Sequence, residues 1–163
     1  MDMHRRFAAS LLVLVGTLFA NFVFAGRNAE EAQSILDQSG VSGGLCLVVG
    51  ANSPELSEAF ADRSSLYVQM LQPDQEKANR WGTRVARGNR REELSVRHAW
   101  FASEDYSSKL FNLIVVEDAT SLGREALEGI FRILTPRGVV VFRSLPDGFA
   151  AQAKQLDMQS IKI

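Results

Sequence analysis

From residue 28 onward, uninterrupted apolar runs alternate with stretches that carry an apolar residue every three or four positions. "GGLCLVV" (43–49) is apolar without alternation, which suits a strand covered on both faces. Before it, "NAEEAQSILDQSG" reads as a short helix: Asn28 at the N-cap, Glu31 in the capping-box position, Ala32, Ile35 and Leu36 on one face, Gly40 as stop. After it, "SPELSEAFA" offers Ser53 as N-cap, Pro54 at the first helical position and Leu56, Ala59 and Phe60 as the buried stripe. "SLYVQML" (65–71) is a second strand, and "PDQEKANRWGTRVA" starts a helix at Pro73 or Asp74. "ELSVRHA" (93–99) is shorter and alternates, the mark of a strand near an edge. "FNLIVVED" (111–118) is another buried strand ending in two acids. Thr120 or Ser121 then caps "LGREALEGIFRIL", whose apolar face is Leu127, Ile130, Phe131 and Leu134; Pro136 and Gly138 stop it, and "VVVFRS" (139–144) is a fifth strand.

Strands alternating with helices imply βαβ units. The fold class that follows is α/β: a Rossmann-like three-layer sandwich with a mostly parallel five-stranded sheet. Right-handed crossovers put the C-terminal ends of the strands on one rim, where ligands bind at the switch in strand order. The loops after residues 49, 71, 99 and 116 should share that rim.

The first 25 residues do not fit this alternation. "MDMHRRFAASLLVLVGTLFANFVFAG" has a cationic start, an apolar run from Phe7 to Phe24, and Val23 and Ala25 in the small-residue pattern of an export cleavage site. It reads as a signal peptide cut after Ala25; the rival is an uncleaved anchor through residues 7–25, since the run approaches the roughly 20 residues that span a bilayer. Either reading places the domain, residues 28–145, in an exported compartment, periplasmic or extracellular, with membrane association only under the anchor reading. Residues 146–163 form a C-terminal tail.

Charge and cysteine usage narrow the chemistry. A formal net charge of -1 gives no pull toward nucleic acid. The basic stretch "RWGTRVARGNRR" has acids on both sides at Glu76, Glu92 and Glu93, and reads as a solvated helix end and loop. Cys46 is the only cysteine, so no disulfide forms within the chain, and its apolar neighbours make it a small buried hydrophobe. Beyond residue 25, His98 is the only histidine, which excludes a His/Cys metal cluster and leaves a Ser-His or Cys-His pair poorly supported. Glu117 and Asp118 end a buried strand on the expected rim. They read either as partners for a substrate amine or proton, or as a helix cap and a solvated acid.

Residues 29–144 resemble the class I S-adenosylmethionine-dependent methyltransferases. The likeness is carried by "LCLVVGANSPELSEAF", "FNLIVVED" and "EGIFRILTPRGVVVF"; the last is similar to the family's helix, Leu-x-Pro-Gly-Gly-like turn and fifth strand. More narrowly, "SILDQSGVSGGLCLVVG" and "NLIVVEDA" resemble the methyltransferase-type region that precedes a quinoprotein-like β-propeller in some exported bacterial proteins. The resemblance implies S-adenosylmethionine as cofactor, with no metal, and the cofactor positions fall on Gly50, Asn52, Gln72, Phe101 and Glu117.

Those positions depart from the family pattern. Its first motif has an acid and three alternate glycines; here the four positions are Val48, Gly50, Asn52 and Pro54. Asn tolerates the left-handed backbone such a turn uses, while Pro54 removes an N–H from the helix N-terminus that would receive an anionic group. Where the family has an acid for both ribose hydroxyls, the second strand ends in the neutral Gln72. Trp100 and Phe101 offer an aromatic wall for adenine or core packing. The family's usual C-terminal antiparallel strands are not recognisable.

The reading that joins these departures is a methyltransferase-like domain with degraded cofactor motifs, non-catalytic or a truncated remnant, acting on an unknown small molecule or protein partner. The alternative is an active methyltransferase with an unknown acceptor. A nicotinamide-dependent oxidoreductase would need Gly at 52 and 55, where Asn52 and Glu55 stand, and an acid at 72.

Overall fold

The computed structural model describes residues 26–89, 92–101, 105–119 and 122–144. The signal or anchor segment, the C-terminal tail, Thr120, Ser121, Arg90 and Arg91 lie outside the described residues. The elements run in order α1 (26–39), β1 (Gly43–Val49), α2 (Glu55–Arg63), β2 (Ser65–Gln72), α3 (Gln75–Arg87), β3 (Leu94–His98), β4 (Phe111–Val116), α4 (Arg124–Ile133) and β5 (Leu134–Phe142). The five strands pair in the order β3-β2-β1-β4-β5, every neighbouring pair parallel. The sheet is therefore wholly parallel, and strand order reverses between β1 and β4.

Period-two alternation assigns each strand residue to one of two cores. On one face Cys46 and Val48 of β1, with Val68 and Met70 of β2, pack under α1, α2 and α3, which contribute Ile35, Phe60 and Trp81. On the other face Leu47, Val49 and Ile114 pack under α4 through Leu127, Ile130 and Ile133. Because β1 is buried on both sides, its sequence shows no alternation. β3 lies at the edge, with Leu94 turned inward and Ser95 and Arg97 exposed. The segment from β3 to β4 supplies Phe101 and Tyr106 to the α4-side core, but no α-helix among its described residues, and Tyr67 of β2 remains 59% exposed on that side.

Several element ends differ from the sequence expectation. Asn28 lies inside α1, which already runs from residue 26; the Gly40 stop stands, with φ +69° and its N–H donating to Leu36 O. Glu31 closes no capping box and instead meets Arg143. Pro54, not Ser53, occupies the N-cap of α2, its carbonyl accepting from the Glu58 N–H. Gly123 is the N-cap of α4, extended and with no side-chain cap. That position tolerates Gly nearly as well as a hydroxyl. Asp74 caps α3 as expected, accepting from the Lys77 N–H at 3.0 Å.

The largest difference is at "LTPRG". The helix stops at Ile133 and Leu134 pairs at once with Phe111; the chain then bulges through 135–138 before Val139 pairs with Leu113. Pro136 disfavours helical backbone in the residue before it. Arg137 takes φ +73°, the left-handed turn that returns the chain to the ladder.

Candidate functional site

At the reversal of strand order, the exits of β1, β2, β3 and β4 surround a cleft of about 500 Å³. Its floor is the turn after β1. Gly50 has φ +70°, and a Cβ there would stand 3.1 Å from Asp118 O and 3.2 Å from Asp118 N. A glycine is required on both counts, conformation and space. In the same turn Asn52 keeps a negative φ, so the left-handed conformation expected of it is not used. Pro54 follows at the head of α2 and offers no N–H to a ligand.

Gln72 closes the β2 side and is 3% exposed. Its Nε2 donates to Ala51 O at 3.0 Å and its Oε1 accepts from the Asp74 N–H at 2.9 Å. One amide thus ties the turn after β1 to the start of α3, with both of its ends engaged. Asp74 is engaged too: its hydrogen bond from the Lys77 backbone holds the carboxyl below the usual carboxylate range.

The structure brings Gly50, Asn52, Gln72 and Phe101 together around the cleft, and leaves Glu117 behind it. The Glu117 side chain is 2% exposed; Oε2 accepts from Arg143 Nη1 at 2.8 Å and from the Asn52 N–H at 3.4 Å. Oε1 is buried without a partner among the described residues. Burial raises the Glu117 carboxyl above its ordinary range against the opposing pull of Arg143. Arg143 also grips Glu31 of α1, Nε to Oε1 at 2.5 Å and Nη2 to Oε2 at 2.9 Å. Glu117 is therefore neither a helix cap nor a solvated acid: it braces the cleft turn against β5 and α1.

Three cleft residues were not among the sequence candidates for the cofactor. Lys77 lines the cleft one turn into α3, and Asp118 and Glu125 line it from the β4–α4 side. The signal for Lys77 is its place three residues after the Asp74 cap, which puts it at the rim. Trp100, 61% exposed, forms the outer wall, and Phe101 lies buried behind it. His98 turns away, with Nε2 at 3.0 Å from Pro73 O. Among the described residues no group of three His, Cys, Asp or Glu stands close enough to hold a metal ion, and no helix is long and apolar enough to cross a membrane.

This strand order and cleft are those of the methyltransferase-like fold. A protein of Methanococcus maripaludis assigned as an S-adenosyl-L-methionine-dependent methyltransferase superposes with a TM-score of 0.68 at 19% identity, over 85% of this chain and 67% of that one. Geranyl diphosphate C-methyltransferase of Streptomyces coelicolor, solved with S-adenosyl-L-homocysteine, gives 0.63 at 11% identity over 78% and 53%. A cyclase gives 0.64 at 14% identity over 70% and 43%. The chain thus spans about two thirds of the first protein and about half or less of the other two. No protein-family model and no curated protein sequence matches it. The likeness defines the fold.

Proposed function

We propose that the chain is a methyltransferase-like domain that holds S-adenosylmethionine weakly or not at all and does not transfer methyl groups. The observation that carries this reading is Gln72. It stands where the resemblance calls for a carboxylate on the ribose hydroxyls, and both ends of its amide are engaged within the protein. A charge-assisted hydrogen bond is roughly twice as strong as a neutral one, so its replacement by an engaged amide weakens ribose binding. Pro54, without an N–H, and Asn52, in place of glycine, weaken the same ligand at its other end. At about 1–2 kcal/mol for each lost contact, three together lower affinity on the order of a hundredfold or more.

A neighbour of this fold that is named a cyclase supports separating fold from reaction. In this reading the motifs are degraded, the domain is exported through residues 1–25, and its role is to bind a small molecule or protein partner, as a module or remnant of a propeller-bearing protein. A second reading, active methyl transfer, is favoured by one feature: the cleft is open, and its Gly50 turn is intact. Calorimetric titration of the full chain with S-adenosylmethionine and S-adenosylhomocysteine separates the two. Dissociation constants of roughly 100 μM or weaker are expected; saturable low-micromolar binding that disappears in Gly50→Trp overturns the reading. The mass of the protein recovered from the exported fraction tests cleavage after Ala25.

A further inference from the structure

The cleft is charged unequally across its width. Lys77 stands on the β2–α3 side beside Gln72 and Pro73, while Asp118 and Glu125 stand on the β4–α4 side. In open parallel sheets the exit of the second strand meets the ribose. A carboxylate there accepts the hydroxyls, whereas a cation without that carboxylate accommodates a phosphate on the ribose. Here the exit residue is the neutral Gln72, whose Nε2 faces Ala51 O and whose Oε1 is turned to the Asp74 N–H. The nearest carboxylate, Asp74, accepts from the Lys77 backbone N–H, and the Lys77 charge also helps to hold it ionised. Trp100 and Phe101, from the exit of β3, give the cleft an aromatic side on which a base would stack. A volume of about 500 Å³ suits a ligand of nucleotide size.

We propose that the cleft takes a nucleoside phosphorylated on its ribose, with Lys77 holding the phosphate at the exit of β2 and the base lying against Trp100 and Phe101. This deepens the reading that the cleft has lost its preference for S-adenosylmethionine, and rests on it. The features that weaken an unmodified ribose are the ones that admit a phosphate: no acid at residue 72, and a cation one helical turn further on. Lys77 is a binding residue in this account; Gln72 positions the turn and adds no negative charge of its own.

The test is titration of the full chain with adenosine, adenosine 2′-monophosphate, adenosine 3′-monophosphate, S-adenosylmethionine and inorganic phosphate, followed by calorimetry and by tryptophan fluorescence. One of the two ribose phosphates is expected to bind about tenfold or more tighter than adenosine, the worth of one charge-assisted contact. In Lys77→Met, which keeps the side-chain stem, that advantage over adenosine is lost. Lys77→Glu is expected to reverse the preference. Gln72→Glu adds an independent reading, favouring adenosine over its phosphates, with circular dichroism to verify the fold. Equal binding of adenosine and both phosphates, or a phosphate preference that survives Lys77→Met, overturns the proposal. So does binding of inorganic phosphate alone with no nucleoside bound. None of these three results restores methyl transfer; low-micromolar S-adenosylmethionine binding with measurable transfer is the separate outcome that overturns the functional reading itself.

Discussion

At the scale of single residues, the cleft turn depends on a glycine and a buried acid. Gly50→Ala must hold a left-handed φ and push against the Asp118 backbone. Strain of this kind costs about 1–3 kcal/mol, so urea denaturation of the variant should show that loss, and ligand affinity should fall with it. Glu117 gives a pH dependence with a definite sign. Its folded pKa lies above the ordinary 4.5 because burial opposes ionisation. The folded protein thus holds the Glu117 proton more firmly than the unfolded chain does. The stability this contributes is present below pH 4.5 and is lost as pH rises through the folded value. Glu117→Gln removes the titration, so relative to wild type the variant should gain stability as pH rises above 4.5, with a constant difference below that value. Denaturation midpoints for both proteins across this range check the sign; a variant that loses ground as pH rises would contradict it.

At the scale of elements, the apolar patterning made the five strands and four helices among the described residues legible, because each element buries a stripe whose period matches its geometry. The ends were less legible. Whether residue 117 or 118 faces the cleft depends on where β4 stops, and a shift of one residue reverses the side chain's direction. The structure stops β4 at Val116, which turns Glu117 inward and gives the cleft Asp118. The helix stop at "TPRG" was readable, but the pairing of Leu134 with Phe111 ahead of the bulge was not, since it needs the partner strand. Arg143 is the same case: its partners lie 26 and 112 residues away in sequence. For α4 the stripe itself can be tested. Ile130 is fully buried against the sheet, and Ile130→Ala should cost about 2–5 kcal/mol in urea denaturation.

At the scale of the molecule, the site is a product of topology more than of any one motif. Gly50, Gln72, Trp100 and Asp118 come from four different loops, and a parallel sheet that reverses its strand order between β1 and β4 brings those loops to one cleft. Gly50, Asn52, Gln72 and Phe101 line the cleft because strand exits in such a sheet share a rim, a placement that strand order alone predicts. Lys77 was harder to see, since its role depends on how far α3 leans over that rim.

The central position of β1 has one more consequence, for how the domain's opening can be timed. Cys46 sits in that strand with no solvent exposure, and burial pushes its thiol well above the ordinary range for cysteine. It is also the only sulfhydryl in the chain. Its side chain packs under α1, α2 and α3, so a thiol-reactive dye reaches it only when that helical layer leaves the sheet and the core between them opens. Modification by excess dye should proceed in a single phase at the rate of global unfolding, matching the unfolding limb of a denaturant chevron extrapolated to water. A faster phase would reveal that the helical layer over Cys46 opens before the domain as a whole unfolds.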